Sequence, residues 1–492
     1  MGHIVKKNTY ICKIYVQVSG TDVIHAYRLK PPRIVGLETL LFMAKANMPV
    51  LYRWFKAYVR FLTEKIYYKK VYYLNTENVP EDGTPLLVVS DHQNAMNDAL
   101  GVLLSIRDRL VHLIVRADVF ALSPIADKFL RSIGLLPAFR LNWEGEKALE
   151  NNGATFRDSE KSLLDGNTVV IFPEAGHQDK HWLGTFSYGY TKMAFDAAEM
   201  SDFEKEVFIL PSCNHYSDYR WLRTETLIKY GTPISLKPFY ELYKTKPRTA
   251  QRQVNALVRE QIKGMMLSID DVENYDAIDF IRQSSYGEKY ALTQNLDPAL
   301  LPQKLESDRN LVAALDAAKA SDEAAVNDLY AEALTFGADL KKSGLSEKEL
   351  DKTPSLVDML VQVAVLVILA PLAVFALWPA LPAWFIPKYF ADRAEDKMFS
   401  GTFLIALNAL FIFPVFGLIT FIITWMKASL LAGIVYVALF PALCLFEWAY
   451  AGWVSELIRD IKALNGEKSG LLERLRSDRR KLFSHIDNIL GK

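Results

Sequence analysis

Residues 85–98 read PLLVVSDHQNAMND, and this stretch decides the fold. Its apolar start, Pro85 to Val89, is typical of a buried strand, and the polar residues after it lead into a helix. Similar apolar runs occur at Val111 to Val115, Thr168 to Phe172 and Val207 to Pro211, and helix-length stretches separate them. The pattern predicts an α/β fold in which a mostly parallel sheet is flanked by helices.

The residues that follow the first strand carry candidate chemistry. His92 leaves the strand, and Asp98 lies one turn into the next helix. Ligands of open α/β sheets bind outside the carboxyl ends of the strands. A histidine there can take a proton at one ring nitrogen while a carboxylate holds the other N–H. Taken alone, the pair equally fits a loop histidine beside an acid that the helix dipole favours.

Two other strand ends carry groups that suit an anion. The second strand is followed by Arg116 and then by an apolar stretch that ends at Arg140, whose guanidinium suits bidentate phosphate binding. The third strand runs into residues 172–180, FPEAGHQDK. There Gly176 permits close backbone approach, and Lys180 adds a positive charge. We therefore expect a cationic crevice at this edge of the sheet.

These blocks, in this order, resemble the glycerolipid acyltransferase family, which acylates glycerol-3-phosphate or 1-acylglycerol-3-phosphate. The resemblance covers residues 70 to 235. It implies that His92 and Asp98 are the catalytic pair. The other blocks are Gly134 to Arg140, Phe172 to Gly176 and Ile209 to Tyr216. The residues that would bind the phosphate or the acceptor are Arg140, Glu174 and Gly176, with Arg116 and Lys180 as further candidates.

Two departures from the family pattern leave the acceptor open. The commoner spacing places the aspartate five residues after the histidine, where this chain has Asn97. The six-residue spacing resembles membrane-bound glycerol-3-phosphate and dihydroxyacetone-phosphate acyltransferases, which also carry apolar segments after the catalytic domain. Ala175 stands where the family usually has glycine, although Gly176 still matches the branch with two successive glycines.

The resemblance implies a membrane-bound O-acyltransferase of phospholipid biosynthesis. Acyl-CoA or acyl carrier protein would supply the acyl group, and glycerol-3-phosphate or 1-acylglycerol-3-phosphate would accept it. Dihydroxyacetone phosphate or another lysolipid is the alternative acceptor. We expect no metal and no cofactor besides the acyl thioester, and membrane lipid as the surrounding partner.

Two other classes of function stay open. A metal-dependent hydrolase would use His177, Asp179 and His181, because His177 and His181 have the four-residue interval of a helical zinc pair. The glycine and proline before them favour a loop, however, and Gln178 replaces the glutamate of that motif. A non-catalytic lipid-binding scaffold could also have kept an acyltransferase-like fold.

The composition of the chain narrows the classes of partner that it could bind. The chain has 492 residues, with 57 Lys and Arg against 57 Asp and Glu, so no overall positive field attracts nucleic acid. Its three cysteines, Cys12, Cys213 and Cys444, lie far apart, which argues against a disulfide framework or a thiolate metal site. Hydrophobic residues make up 51% of the chain, which predicts a minority of membrane segments.

Three long apolar runs follow residue 355, each long enough to cross a bilayer. Four prolines and several interfacial aromatic residues are predicted to break the first run, so we interpret residues 357–390 as re-entrant or interfacial. Residues 402–425 and 429–449 are then a transmembrane hairpin. An even number of crossings keeps the basic tail on the side of the catalytic domain. Since residues 1–30 lack a signal peptide, we expect the cytoplasmic face.

The stretch from Leu51 to Tyr67, LYRWFKAYVRFLTEKIY, repeats apolar residues at three-residue and four-residue steps, with cations at other positions. This predicts an amphipathic helix, which either lies on the membrane with its cations toward anionic lipid or packs on its own domain. The expected domains are an N-terminal segment (1–69), the α/β domain (70–244), a helical region (245–352), membrane segments (353–450) and a charged helical tail (451–492).

Overall fold

The structure, a computed structural model, describes residues 48–107, 109–138, 146–174, 176, 180–219, 221–351, 355–394, 396 and 398–491. Arg140, Ala175, His177 and Asp179 lie outside these ranges. Most of the predicted N-terminal segment, Cys12 included, lies outside them as well.

One mixed sheet forms the centre of the α/β domain. Its strands are β1 (Lys70–Leu74), β2 (Leu86–Ser90), β3 (Val111–Arg116), β4 (Leu135–Ala138), β5 (Thr168–Ile171), β6 (Phe208–Tyr216), β7 (Glu225–Tyr230) and β8 (Ile234–Ser235). The strand order is β1-β7-β6-β2-β5-β3-β4, and β8 pairs with β6. Among these described strands, only the pairings of β6 with β7 and β8 are antiparallel. The prediction of a mostly parallel α/β sheet is confirmed.

The strand β2 lies between β5 and β6, and every residue of β2 is buried. A parallel strand that is covered on both faces needs continuous apolar residues rather than alternation. This explains the unbroken run from Leu86 to Val89. The loop that bears His92 therefore starts from the interior of the domain.

Helices pack against this sheet. The helices of this part of the chain are α1 (Val50–Phe61), α2 (Met96–Ser105), α3 (Pro124–Ser132), α4 (Glu146–Leu164), α5 (Gly189–Glu199), α6 (Tyr240–Thr245) and α7 (Pro247–Met265). Leu87 and Val169 of the sheet share a buried core with Phe195 of α5 and Val258 of α7. The sheet and these helices thus form one core.

A helical region follows, as predicted. Its helices are α8 (Tyr275–Gln283), α9 (Ser285–Thr293), α10 (Leu301–Ser321), α11 (Glu323–Ser343) and α12 (Glu347–Asp351). They share a core that includes Leu227 of β7, so the region packs directly on the sheet. The domain boundaries themselves stay predictions.

Three helices of the described chain are long and apolar enough to cross a membrane. The first is α13 (Leu356–Arg393) and the third is α16 (Leu430–Lys468). The second spans Phe399–Lys427 and consists of α14 (Phe399–Leu407), a π-helical segment (Asn408–Phe416) and α15 (Gly417–Lys427).

The prolines do not interrupt α13. This helix is continuous through Pro371, Pro379, Pro382 and Pro387, so the predicted break was wrong. Proline is tolerated in apolar helices because neighbouring helices and local adjustments satisfy the backbone groups that it frees. The sequence signal therefore marks bending positions rather than a loop.

The contacts between α13 and α16 run in one direction and then reverse. The contacting pairs, in order along α13, are Leu366 with Tyr450, Phe375 with Tyr436 and Trp384 with Trp448. Along a straight helix, successive contacts would fall at successive positions of the neighbouring helix. Here the first and the last pair both contact the same part of α16, at Tyr450 and Trp448. This order indicates that α13 bends along its length, and both the re-entrant interpretation and the number of complete crossings stay predictions.

The last helix, α17 (Leu471–Ile489), returns to the helical region. Its buried residues Leu472, Leu475, Leu482 and Ile486 lie in the same core as Leu329 and Phe336 of α11. Because α16 leads directly into α17, the end of α16 lies near the helical region. The basic tail and the helical region are therefore packed together.

The helix α1 is amphipathic, but two of its cations face inward. Lys56 Nζ donates to the carbonyl of Ile106 at 2.5 Å, and Arg60 Nη2 donates to the carbonyl of Leu104 at 2.5 Å. Both carbonyls lie at the C-terminal end of α2, where partial negative charge collects. Of the two alternatives for this helix, these two cations fit packing on its own domain, and Trp54 is 61% exposed.

Candidate active site

The carboxyl ends of β5, β2 and β6 lie side by side, because these strands are parallel neighbours in the sheet. The residues that follow them collect at one edge, where ligands of α/β sheets bind. His92 follows β2, Glu174 follows β5, and Tyr216 ends β6. The fold thus brings three of the recognised sequence blocks to one place.

His92 and Asp98 are in direct contact. Nδ1 of His92 lies 2.9 Å from Oδ2 of Asp98. When the carboxylate accepts this bond, Nδ1 carries the hydrogen and Nε2 is the basic nitrogen. The Asp98 side chain is fully buried, whereas the His92 side chain is 17% exposed. A buried carboxylate therefore orients a histidine that is open to the exterior.

Three further donors hold Asp98. Its Oδ2 also accepts the backbone N–H groups of Gln93 and Asn94, at 2.8 and 2.7 Å. Its Oδ1 accepts the Tyr216 hydroxyl at 2.7 Å. These bonds offset the loss of water around a buried carboxylate and fix its orientation. They also explain the six-residue interval, because the loop folds back until two of its own N–H groups reach Asp98.

This loop turns sharply at Ala95, which has φ of 47° and ψ of −125°. Residues with a side chain rarely adopt positive φ, and such a conformation costs on the order of 1–3 kcal/mol. Strain of this kind persists only where surrounding contacts determine the path of the chain. The conformation of the His92 loop is therefore imposed by its neighbours.

Glu174 and Phe172 brace the same loop. Glu174 accepts the backbone N–H of His92 at 2.9 Å with one oxygen and that of Gly184 at 2.7 Å with the other. Burial raises the pKa of Glu174, and these two hydrogen bonds oppose the rise. The Phe172 ring stacks on the His92 ring at 4.5 Å. The contacts of Glu174 are to backbone, and its role toward the acceptor stays a prediction.

Asp91 ties the loop to β6. Its Oδ1 accepts the backbone N–H of Asn214 at 2.8 Å, and the Ser90 hydroxyl lies 3.2 Å away. Cys213 Sγ lies 3.9 Å from its other oxygen. Burial, followed by the charge of Asp98, raises the pKa of Asp91 well above its usual range. Asp91 is therefore a buried acid beside the histidine, with backbone and hydroxyl partners.

Two of the predicted phosphate-binding cations have carboxylate partners. Arg116 forms an ion pair with Asp118, and both side chains are exposed. Lys180 lies 3.7 Å from Asp276 of α8. Each cation would have to leave or share its carboxylate to bind a phosphate.

The other two predicted acceptor-binding positions are Gly176 and Arg140. Among the described residues, no heavy atom lies within 4 Å of the position that a Cβ on Gly176 would occupy. Arg140 lies outside the described residues. Its assignment as the phosphate-binding arginine stays a prediction.

His181, from the alternative zinc site, has both ring nitrogens in hydrogen bonds. Its Nε2 lies 2.7 Å from the Arg282 guanidinium, and its Nδ1 lies 3.1 Å from the Tyr219 hydroxyl. A guanidinium at this distance also repels a metal cation. Within the part of the chain that is described, no group of three or more His, Cys, Asp or Glu could hold a metal ion. His177 and Asp179 lie outside that part.

Sequence reasoning missed Asp91, Gln93 and Tyr216 as individual site residues. Tyr216 lies in the fourth block, two residues after Asn214, so strand alternation places both on one face of β6. A polar pair on one face of an otherwise apolar strand is a usable signal. No comparable pattern marks Gln93, since its contact with Asp98 is made by the backbone.

The comparison with protein families agrees with this geometry. Residues 70–214 match the family model described as Acyltransferase. Among solved structures, the chain is similar to the 1-acyl-sn-glycerophosphate (LPA) acyltransferase PlsC from Thermotoga maritima. The sequence identity is 17%, the TM-score is 0.30, and the match covers 45% of this chain and 88% of that chain. The comparison with curated proteins gives no match.

The matched range contains His92, Asp98 and Glu174 and extends from β1 into β6. Residues 70–214 therefore match an acyltransferase domain. The resemblance of this range to an acyltransferase family is confirmed. Three long apolar helices of the described chain fit a membrane association.

Proposed function

We propose that this acyltransferase moves a fatty acyl group from acyl-CoA or acyl carrier protein to a hydroxyl of glycerol-3-phosphate or 1-acylglycerol-3-phosphate. The carrying observation is the His92–Asp98 pair, with Nδ1 and Oδ2 2.9 Å apart at the shared edge of β2, β5 and β6. Such a pair activates a hydroxyl for attack on a thioester.

In this scheme His92 Nε2 removes the proton of the acceptor hydroxyl as its oxygen attacks the thioester carbonyl. Throughout the reaction Asp98 accepts a hydrogen bond from Nδ1–H without taking the proton, and its charge stabilises the imidazolium that forms. The tetrahedral intermediate collapses, the C–S bond breaks, and the imidazolium returns the proton to the leaving thiolate. One ester and one thiol result, so neither a covalent acyl-enzyme nor a metal is needed.

The acceptor phosphate would lie on the side of Gly176, with Arg140 as its main partner. Arg116 and Lys180 would contribute after exchanging their carboxylate partners for phosphate. Binding the phosphate in this way places the hydroxyl near His92 and removes translational freedom before the chemical step. The apolar helices would keep the domain at the bilayer, on the cytoplasmic face, where both lipid product and soluble thioester are accessible.

The test is an acyl-transfer assay on the full-length protein in detergent or nanodiscs. Radiolabelled acyl-CoA and acyl carrier protein are each offered with four acceptors, namely glycerol-3-phosphate, 1-acylglycerol-3-phosphate, dihydroxyacetone phosphate and a lysophosphatidylcholine. We expect transfer to glycerol-3-phosphate or 1-acylglycerol-3-phosphate and loss of that transfer in His92→Ala. Preference for dihydroxyacetone phosphate would select the alternative acceptor.

The matched control is His485→Ala. His485 Nδ1 lies 2.7 Å from Glu332 Oε2, a histidine–carboxylate pair between α17 and α11. The His485→Ala variant should keep full activity, because this pair is remote from the strand ends that carry His92. Absence of transfer to every acceptor by a folded wild-type protein would favour the non-catalytic scaffold. Wild-type activity in His92→Ala would refute the base assignment.

A further inference from the structure

Four polar side chains form a hydrogen-bonded line from the helical region to the catalytic loop. They are Arg282 of α8, His181, Tyr219 and Gln93. The helical region has no assigned role in acyl transfer, and its residues lie far from His92 in sequence. This line gives it a physical connection to the site.

Arg282 anchors the line. Its guanidinium is buried, with Nε 2.8 Å from Asp279 and Nη1 3.2 Å from Asp308. Lys304 also pairs with Asp308. Two carboxylates thus fix the guanidinium, and its Nη2, which lies 2.5 Å from Asp279, also donates to His181 Nε2 at 2.7 Å. A donor held by two ion pairs is rigid.

The direction of every bond in the line is determined. A guanidinium can only donate, so His181 Nε2 accepts and the ring hydrogen is on Nδ1. Nδ1 then donates to the Tyr219 oxygen at 3.1 Å, and the Tyr219 hydroxyl donates to Gln93 Oε1 at 2.6 Å. Burial and the charge of Arg282 lower the pKa of His181 well below its usual range, which keeps the ring neutral.

The line ends beside the catalytic pair. Gln93 is buried and adjacent to His92, and its backbone N–H donates to the same Asp98 oxygen that holds His92 Nδ1. The backbone carbonyl of Tyr219 also accepts from the Asn94 side chain at 3.3 Å. Two consecutive loop residues thus depend on Tyr219, just before the strained turn at Ala95.

We propose that Arg282, His181 and Tyr219 are positioning residues for acyl transfer, through which the helical region holds Gln93 and the geometry of the His92–Asp98 pair. This proposal rests on the proposed function for its rate readout alone. The helical region would be part of the catalytic unit rather than an independent docking arm. None of the three residues needs to touch a substrate.

The first test is Tyr219→Phe, which keeps the ring contacts of Tyr219 and removes only the hydroxyl. We expect kcat to fall about tenfold, the rate equivalent of one hydrogen bond, while the acceptor KM stays unchanged. The matched control is Tyr190→Phe. Tyr190 is buried, and its hydroxyl donates to Asn255 of α7 at 2.8 Å, away from the loop. The control should lose similar thermal stability and keep its kcat.

The second test measures the stability of the His92 loop directly and needs no assay of activity. Hydrogen exchange of the peptide covering residues 91–98 reports the Gln93 and Asn94 N–H groups that bond to Asp98. We expect faster exchange of this peptide in Tyr219→Phe and wild-type exchange in Tyr190→Phe. If the wild-type protein transferred no acyl group at all, the proposed function would fail while this readout still tested the line.

The third test asks whether His181 and Tyr219 act together. In His181→Gln, an amide oxygen can still accept from Arg282, whereas the donor to Tyr219 is lost. Residues that act through one line should be non-additive, so the double variant should be no slower than Tyr219→Phe. Two results would overturn the proposal. One is a wild-type rate of hydrogen exchange for the loop peptide in Tyr219→Phe. The other is a rate loss in the double variant equal to the product of the losses in the two single variants.

Discussion

The Thr402 side-chain oxygen lies 3.2 Å from the backbone nitrogen of Met96, which joins the first turn of an apolar helix to the first turn of α2. Met96 follows the strained Ala95 and begins the helix that bears Asp98. Thr402 therefore accepts one of the N–H groups that the start of α2 leaves unpaired. The His92 loop is therefore held from an apolar helix as well as from the helical region.

Gly401 gives this junction a sharp test. A Cβ at Gly401 would clash with the Asn97 side-chain amide and would lie 2.7 Å from the Tyr67 hydroxyl. We expect Gly401→Ala to displace α2 and lower the transfer rate about tenfold or more, because small misplacements at reacting groups are costly. Gly417→Ala, in the same apolar helix but with open space around it, is the control. Equal rates in the two variants would show that the junction does not matter.

Asp98→Asn should remove most of the activity while the protein stays folded. Asp98 Oδ2 accepts three donors, and an amide nitrogen at that position would oppose all of them. If the amide oxygen replaced it, the other end would face the Tyr216 hydroxyl, which could then rotate to accept. By analogy with serine hydrolases, we expect kcat to fall on the order of 10³-fold or more. Single-turnover rates and a thermal midpoint measure the two effects; a rate near wild type would remove Asp98 from the mechanism.

Asp91→Asn should make stability less dependent on pH. The folded-state pKa of Asp91 is raised above its unfolded value, so its contribution is present below the unfolded pKa and is lost as pH rises through the folded pKa. Asparagine resembles the protonated acid and cannot lose that proton. We therefore expect the free energy of unfolding in urea to rise for the variant relative to wild type as the pH increases from mildly acidic to alkaline values. Parallel curves would mean that Asp91 does not hold a proton.

His215 should contribute to acid unfolding. Burial, with the charges of Arg282 and Lys304, lowers its pKa to about 3. A depressed histidine pKa gives stability that is present above the unfolded value of about 6.5 and is lost as pH falls toward the folded value. We expect a slope of about 1.4 kcal/mol per pH unit from this residue, and His215→Gln should reduce the slope by that amount. An unchanged slope would assign the effect to other groups.

The sequence predicted the sheet because its central strands are buried on both faces. Leu86 to Val89 and Thr168 to Phe172 are short apolar runs whose length and flanking residues exclude most alternatives. β1 and β4 gave no such signal, and most of their residues are only partly buried. β1 (KVYYL) mixes polar and apolar residues, and β4 (LLPA) is only four residues long and contains a proline. Edge strands need less burial, so their sequences are less constrained.

The site was predictable only where chemistry is local in sequence. His92 and Asp98 lie on one loop and its helix, and their contact follows from the spacing. The contact between Gln93 and Tyr219 joins residues that are 126 positions apart and needs the complete fold. The inward direction of Lys56 was unpredictable for the same reason, because helical periodicity gives two faces without stating which face meets the domain.

The position of α17 sets an order of events during synthesis. Its leucines complete the core of the helical region, yet they leave the ribosome only after all three apolar helices. That core cannot close until the membrane segments have been made, so a chain that stalls before residue 471 has an open core. If the line from Arg282 sets the geometry of His92, acyl transfer starts only in chains that have been completed at the bilayer. A deletion of residues 471–489 would therefore leave the core of the helical region without four of its buried residues.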